Sequence, residues 1–228
     1  MYAIFFKRFF DVLLSLLALT VLSPLFLLLM LTGAVAMRGN PFFVQPRPGR
    51  KGEDGRERIF RLIKFRTMDN RRDKNGNLLP DDVRLNGYGR FLRKTSLDEF
   101  PEALNILKGD MSIVGPRPLL VRDMVFMTEQ QRRRHDVRPG LTGLAQISGR
   151  NGISWEQKLD YDLEYLKKIT MPEDFRIIFA TVWQAFIKRD GISQEGMDTA
   201  EDFGDYLLHK GAIDEKTYRE KILVGDKW

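Results

Sequence analysis

Twenty-six consecutive residues without a charge, Val12 to Met37, constrain this chain more than any other feature it carries. At about 1.5 Å per helical residue, such a run is long enough to cross a bilayer. Three readings compete for it. Lys7 and Arg8 in front and the A-x-A-like Ala34-Val35-Ala36 suggest a signal peptide, but the run exceeds the usual ~7–15-residue signal core. A straight spanning helix is the second reading. The third rests on Ser23-Pro24 near the middle, because proline removes an i→i−4 hydrogen bond and kinks a helix. Each arm is then about 12 residues, or ~18 Å, enough to enter one leaflet and return. Basic residues flank both sides, Lys7 and Arg8 before and Arg38, Arg47, Arg50 and Lys51 after, and the positive-inside rule holds both ends on the cytoplasmic face. The residues alone leave the span and the hairpin open.

Charge narrows the partners. From Asp190 onward 10 acids face 5 Lys or Arg, a net of −5, so the part before it carries +11 of the overall +6. A basic body suits an anionic partner such as lipid headgroups, a nucleotide-sugar or nucleic acid. Its aromatics are not interleaved with basic residues as stacking platforms would be, which argues against nucleic acid. Cysteine is absent, excluding disulfides and thiolate chemistry. His135 and His209 stand far apart and unaccompanied, so no histidine metal site is indicated. Neither a P-loop string nor a dinucleotide fingerprint occurs.

The rest predicts a mainly helical α+β fold. "FFVQ" and "RIFRLIKF" are strand-like runs joined by the turn-rich "PRPGRKGEDGRE", a small β-hairpin. Residues 69–82 have loop composition. Residues 88–107 carry a helical pattern interrupted at Pro101, and residues 138–152 are glycine-punctuated and read as non-helical. Residues 155–168 and 175–188 read as amphipathic helices, the second with a broad apolar face suited to a core or to a membrane interface. The expected organisation is a membrane segment over 1–38, a basic body over 39–188 and an acidic extension over 189–228.

The candidate chemistry lies in "KTSLDEFPEALNILKGDMSIVGPRP". Ser96 and Glu99 have capping-box spacing, yet Pro101 is better placed at the start of a helix than at its fifth position. Under either register Asp98 and Glu99 sit near a helix's positive end, which stabilises ionised acids and attracts phosphate. An ionised Asp there can act as a nucleophile and form an acyl-phosphate, while a neighbouring Glu can hold Mg²⁺. Prolines on both sides of Arg117 restrict its backbone and favour bidentate phosphate contact. Lys64 and Arg66 add cations at a strand end.

Three collinear motifs, "KFRTM", "RKTSLDEFPEALNILKGDMSIVGPRP" and "RPGLTGLAQISGR", together with the apolar segment, resemble the small monotopic polyprenyl-phosphate phosphoglycosyl transferases of the bacterial sugar transferase family. The resemblance extends to about residue 188. It implies transfer of a sugar 1-phosphate from a UDP-sugar to polyprenyl phosphate, usually undecaprenyl phosphate, with release of UMP at the cytoplasmic face of the bacterial inner membrane. It implies that Asp98 is the nucleophile, that Glu99 binds the Mg²⁺ cofactor, and that Ser23 and Pro24 form the hinge of a re-entrant helix pair. Lys64, Arg66, Arg93, Asp110 (after Gly109), Arg117, Gln146 and Arg150 become the candidate substrate-binding residues. The partners implied are UDP-sugar, polyprenyl phosphate and membrane lipids, with no nucleic acid; a homo-oligomer is compatible with it. The family's common "DELPQ" reads here "DEFPE", which adds Glu102.

Overall fold

A computed structural model describes residues 2–149, 152–184 and 201–225. In chain order its elements are α1 (Lys7–Val21), α2 (Ser23–Ala36), β1 (Phe42–Lys51), β2 (Glu57–Phe65), α3 (Asp81–Arg84), α4 (Gly87–Thr95) and α5 (Glu102–Lys108). There follow β3 (Ser112–Val114), α6 (Val121–Met124), α7 (Glu129–Arg132), β4 (Gly140–Thr142), α8 (Leu144–Ser148), α9 (Trp155–Lys167), α10 (Met171–Trp183), α11 (Phe203–His209) and α12 (Glu215–Gly225). Helices dominate, as the sequence predicts.

The uncharged run forms two helices that meet at a 67° bend. Pro24 has no N–H for the carbonyl of Thr20, four residues back. The hydroxyl of Ser23 donates to that carbonyl instead, at 2.8 Å. No single helix among the described residues is long and apolar enough to cross a membrane, whereas the bent pair together passes on length and composition.

Both outer ends of the pair are tied to one body. At the start of α1, Arg8 donates to the carbonyls of Ile106 (2.5 Å) and Leu107 (2.8 Å), Lys7 pairs with Asp174 (2.6 Å), and Asp11 accepts from Ser112 Oγ (3.0 Å) and Ile113 N (2.9 Å). Along α2, Tyr88 Oη donates to the Leu29 carbonyl at mid-helix (2.7 Å) and Asn86 Nδ2 to that of Ala36 at its end (3.1 Å). Leu29 packs with Phe65 and Leu92 in a cluster that also takes in Leu25, Phe26, Phe42, Leu97 and Phe100.

β1 and β2 form the expected hairpin, but β1 continues through the prolines assigned to the turn. Phe42 faces Phe65, Pro46 faces Arg61 and Pro48 faces Ile59, with an irregularity between Pro48 and Lys51. The register explains how a strand holds two prolines. Ile63, opposite Val44, sends its N–H outward to Asn105 Oδ1 (3.0 Å), so the matching positions on β1 point their backbone groups away from β2. Pro46 and Pro48 share that parity and remove no ladder bond. Asn105, fully buried on α5, also donates from Nδ2 to the Arg61 carbonyl (2.7 Å), so its amide stands in for a third strand.

β3 and β4 make a second, parallel pair, Ser112 with Gly140 and Val114 with Thr142. A Cβ on Gly140 would lie 2.1 Å from Gly115 N, so only glycine allows this approach. The stretch expected to be non-helical contains α8, directly after β4. Its glycines serve close packing of two loops, and a short helix still fits between Gly143 and Gly149. α9 and α10 form as expected as far as the described residues reach. In the acidic segment, α11 and α12 pack on the end of α6: Phe203 is buried with Phe126, Met127 and Leu159, and Tyr218 stacks on Phe126.

Candidate active site

Asp98 and Glu99 stand on one 3-10 turn, Leu97–Glu99, between α4 and α5. α4 ends at Ser96, whose φ of +55° is left-handed and uncommon for a residue with a Cβ. That reversal, not Pro101 alone, breaks the predicted helix. The capping box is not formed: Ser96 makes no side-chain cap, and Pro101 stands directly before α5. Leu97 and Phe100 bracket the acids and enter the cluster around Leu29, with Phe26 of α2 edge-on to Phe100 at 5.4 Å. The dyad is thereby fixed to the apolar helix pair.

Two cations converge on Glu99. Lys64 Nζ, from β2, lies 2.8 Å from Glu99 Oε1, and Arg117 Nη2, from the loop after β3, lies 2.6 Å from the same oxygen. Lys64 also reaches Glu102 Oε1 at 3.1 Å. Burial works to raise Glu99, but Arg117 and then Lys64 outweigh it and hold its carboxyl well below the usual range. Asp98 makes no ion pair among the described residues. Burial, and then the charge on Glu99, push it up to about 6 against the pull of Lys64 and Arg117. Burial likewise pushes Glu102 up to about 7, opposed by Lys64. The adjacent acids thus differ in kind: Glu99 is a fixed, cation-bound anion, and Asp98 is a carboxylate of raised basicity. Such a separation assigns different roles to paired acids.

The remaining candidates spread around this centre. Arg66 follows β2, donates to the Phe42 carbonyl (3.3 Å) and leaves a buried Nε without a partner among the described residues. Arg93, in the last turn of α4, donates to Thr67 Oγ1 (3.2 Å). Asp110 accepts from Asn105 Nδ2 (3.3 Å), which gives it a place in bracing β2. Gln146 on α8 has both amide atoms buried and without a partner among the described residues, beside the close approach of Gly143 to Gly115. Arg150 lies outside the described residues. The structure therefore gathers Lys64, Asp98, Glu99 and Arg117, with Glu102 added to them. Glu102 was legible one turn beyond Glu99. Arg134 was not, because it donates to the Arg117 carbonyl (2.5 Å) from a segment 17 residues further along the chain.

Among the described residues no group of three or more acids or histidines could cage a metal. Mg²⁺ does not require one, since it commonly takes one or two carboxylates and completes its shell with water and substrate phosphates. Both bonds to Glu99 fall on Oε1, leaving Oε2 for such an ion. The residues fit the cofactor on those terms.

The model of the bacterial sugar transferase family matches residues 2–188, from the start of the helix pair through α10. The chain belongs to the bacterial sugar transferase family. Among relatives of this transferase, the uncharacterized sugar transferase EpsL of Bacillus subtilis is 45% identical over 197 residues, covering 86% of this chain and 95% of that protein. UDP-glucose:undecaprenyl-phosphate glucose-1-phosphate transferase of Klebsiella pneumoniae is 37% identical over 198 residues, 81% of this chain and 41% of its own length. Undecaprenyl-phosphate galactose phosphotransferase of Salmonella typhimurium is 35% identical over 205 residues, 82% of this chain and again 41% of its own. Membership makes the chain an enzyme of the sugar-phosphate transferase class. Helices α11 and α12 lie beyond the family match.

Proposed function

We propose that this transferase moves a sugar 1-phosphate from a UDP-sugar to polyprenyl phosphate, undecaprenyl phosphate in particular, and releases UMP. The observation that carries the reading is the contrast within the dyad, an Asp98 of raised basicity with no ion pair among the described residues beside a Glu99 gripped by Lys64 and Arg117. Asp98 attacks the phosphorus that bears the sugar, and the bond from that phosphorus to the UMP oxygen breaks. UMP leaves, and the sugar phosphate remains on the Asp98 carboxyl as an acyl-phosphate. A lipid phosphate oxygen then attacks the same phosphorus, and the Asp98 carboxylate is restored. Lys64 and Arg117 offset the charge that builds on the transferring group. Arg66, Arg93, Asp110, Gln146 and Arg150 are assigned to substrate binding. Mg²⁺ held by Glu99 supplies further neutralisation of the diphosphate.

The helix pair serves as a re-entrant anchor in this reading. Its support is that α1 begins and α2 ends on the same body, as a hairpin entering one leaflet requires. Basic flanks hold that body at the cytoplasmic face of the inner membrane. α10 leaves Phe179, Val182 and Trp183 exposed, next to Phe175 against Phe10 of α1, and rests at the lipid interface.

Release of UMP from a panel of UDP-sugars with undecaprenyl phosphate and Mg²⁺ tests the reaction and identifies the sugar. The covalent step predicts exchange of UMP into UDP-sugar without lipid, abolished in Asp98→Asn. Strictly sequential kinetics, with no exchange and no adduct on the Asp98 peptide by mass spectrometry, reject the double displacement.

A further inference from the structure

Two guanidinium groups hold consecutive carbonyls of the loop that carries Arg117. Arg134 donates to the Arg117 carbonyl (2.5 Å), and Arg47 Nη1 reaches that of Pro118 at 3.4 Å. Their surroundings differ. Arg134 is neutralised by Asp162 on α9 (2.7 Å). Arg47, on β1 opposite Phe60, meets no carboxylate at ion-pair distance among the described residues. Among the described residues its one other side-chain bond runs from Nη2 to Gln45 Oε1 (2.6 Å), and its buried Nε has no partner.

A guanidinium has five donors in a planar fork, so most of this one's capacity is unused. An interior cation without a counter-ion is unfavourable. Burial and then the nearby Arg117 lower Arg47 to about 10, with Arg122 adding to the repulsion and Asp123 and Glu102 opposing it. Arg117 is paired with Glu99 and Arg122 with Asp202, so the cation of this strip that no carboxylate among the described residues pairs is Arg47.

We propose that Arg47 anchors a phosphate subsite beside Arg117, which receives the phosphate of UMP in the first half-reaction and the phosphate of the lipid in the second. The proposal rests on the double displacement above. In-line displacement at phosphorus places the leaving UMP oxygen opposite Asp98 in the first step. The attacking lipid oxygen must come from that same side in the second. Each oxygen belongs to a phosphate, so one subsite serves both in turn. Arg117 Nη2 and Lys64 are already engaged by Glu99, whereas Arg47 spends one N–H of Nη1 on Pro118 and one of Nη2 on Gln45 and keeps the second N–H on each for bidentate contact.

The test uses the full chain in detergent with Arg47→Gln and Arg47→Lys. UMP and uridine binding are measured by calorimetry, KM for undecaprenyl phosphate by UMP release, and folding by thermal melting. Loss of charge-assisted bonds to phosphate should weaken UMP about tenfold to a hundredfold in Arg47→Gln and leave uridine unchanged. KM for the lipid phosphate should rise by a similar factor, with Arg47→Lys intermediate. Equal weakening of UMP and uridine would mean that Arg47 only braces Pro118 and overturns the subsite, as does an unchanged UMP affinity. Weaker UMP with an unaltered lipid KM overturns the sharing between half-reactions. If Arg47→Gln does not fold, Arg47→Lys decides on the same readouts. Wild-type chain that neither binds UMP nor exchanges it rejects the proposed function itself, whereas normal exchange in an Arg47→Gln chain rejects the subsite alone.

Discussion

The guanidinium of Arg134 donates to the backbone carbonyl of Arg117 at 2.5 Å while Asp162 balances its charge from α9. Arg134 and Asp162 are both buried. An arginine brought by the segment after α7 thus holds the backbone of the arginine that grips Glu99, and the loop carrying Arg117 cannot shift without losing its hydrogen bond to a buried, ion-paired guanidinium.

Removing one partner should be costly. Arg134→Met leaves Asp162 buried and uncompensated, and a loss of about 3–5 kcal/mol is expected by chemical denaturation. The double variant Arg134→Met/Asp162→Leu should recover most of that stability. Its turnover should stay low, because the Arg117 carbonyl has lost its clamp. Full activity in the stable double variant would show that Arg134 has no role in positioning.

Acid should switch the enzyme off through Asp98. With that carboxyl at about 6, the rate should fall about tenfold per pH unit below this point as the nucleophile is protonated. The stability effect has the opposite sense. Asp98 is raised from its ordinary 3.8, so the folded chain binds this proton more tightly than the unfolded one. Its contribution to stability is complete below about pH 4 and is lost as pH rises through 6. Asp98→Asn should therefore raise the melting temperature at pH 8 and change it little at pH 4, while abolishing turnover at both.

Glu99→Gln tests the metal role. Gln also serves in a capping box, but no such box exists here, so a helix-capping defect is not available as an explanation. Loss of the charge should lower turnover about a hundredfold or more with the circular dichroism spectrum unchanged. Chelation should abolish wild-type activity, and Mg²⁺ should restore it. Near-normal turnover in Glu99→Gln would remove this carboxylate from the metal site.

Topology can be read directly because the chain has no native cysteine. Single cysteines at Ala3 and at Gly55 in the β1–β2 turn should label from the same, cytoplasmic side. Pro24→Ala restores the missing N–H and should straighten the pair, moving the Ala3 label to the opposite side. Labelling of the wild-type background from opposite faces would establish a spanning helix.

Much was legible in the sequence because it is written in local chemistry. The uncharged run with a central proline, the hairpin ending at Lys64, the Asp98-Glu99 pair and the proline-bounded Arg117 each declare themselves within a few residues. Their collinear order sufficed for the family. Where strand and helix ends fell was less legible: the prolines of β1 looked like a turn because only the register reveals that their missing N–H groups point away from β2. The glycines near α8 looked like loop because their reason, the approach of Gly140 and Gly143 to Gly115, lies across the fold.

What the tertiary structure alone decided is the difference between the two acids. Asp98 and Glu99 are neighbours with nearly the same side chain, and no local rule separates them. Lys64 arrives from 35 residues before Glu99 and Arg117 from 18 after, both on the same carboxylate oxygen, so Glu99 is held ionised while Asp98 is left to burial. Ionisation depends on charges and solvent close by in space, and chain distance carries little information about either. The sequence places two adjacent acids among cations, and folding alone gives them different charge surroundings.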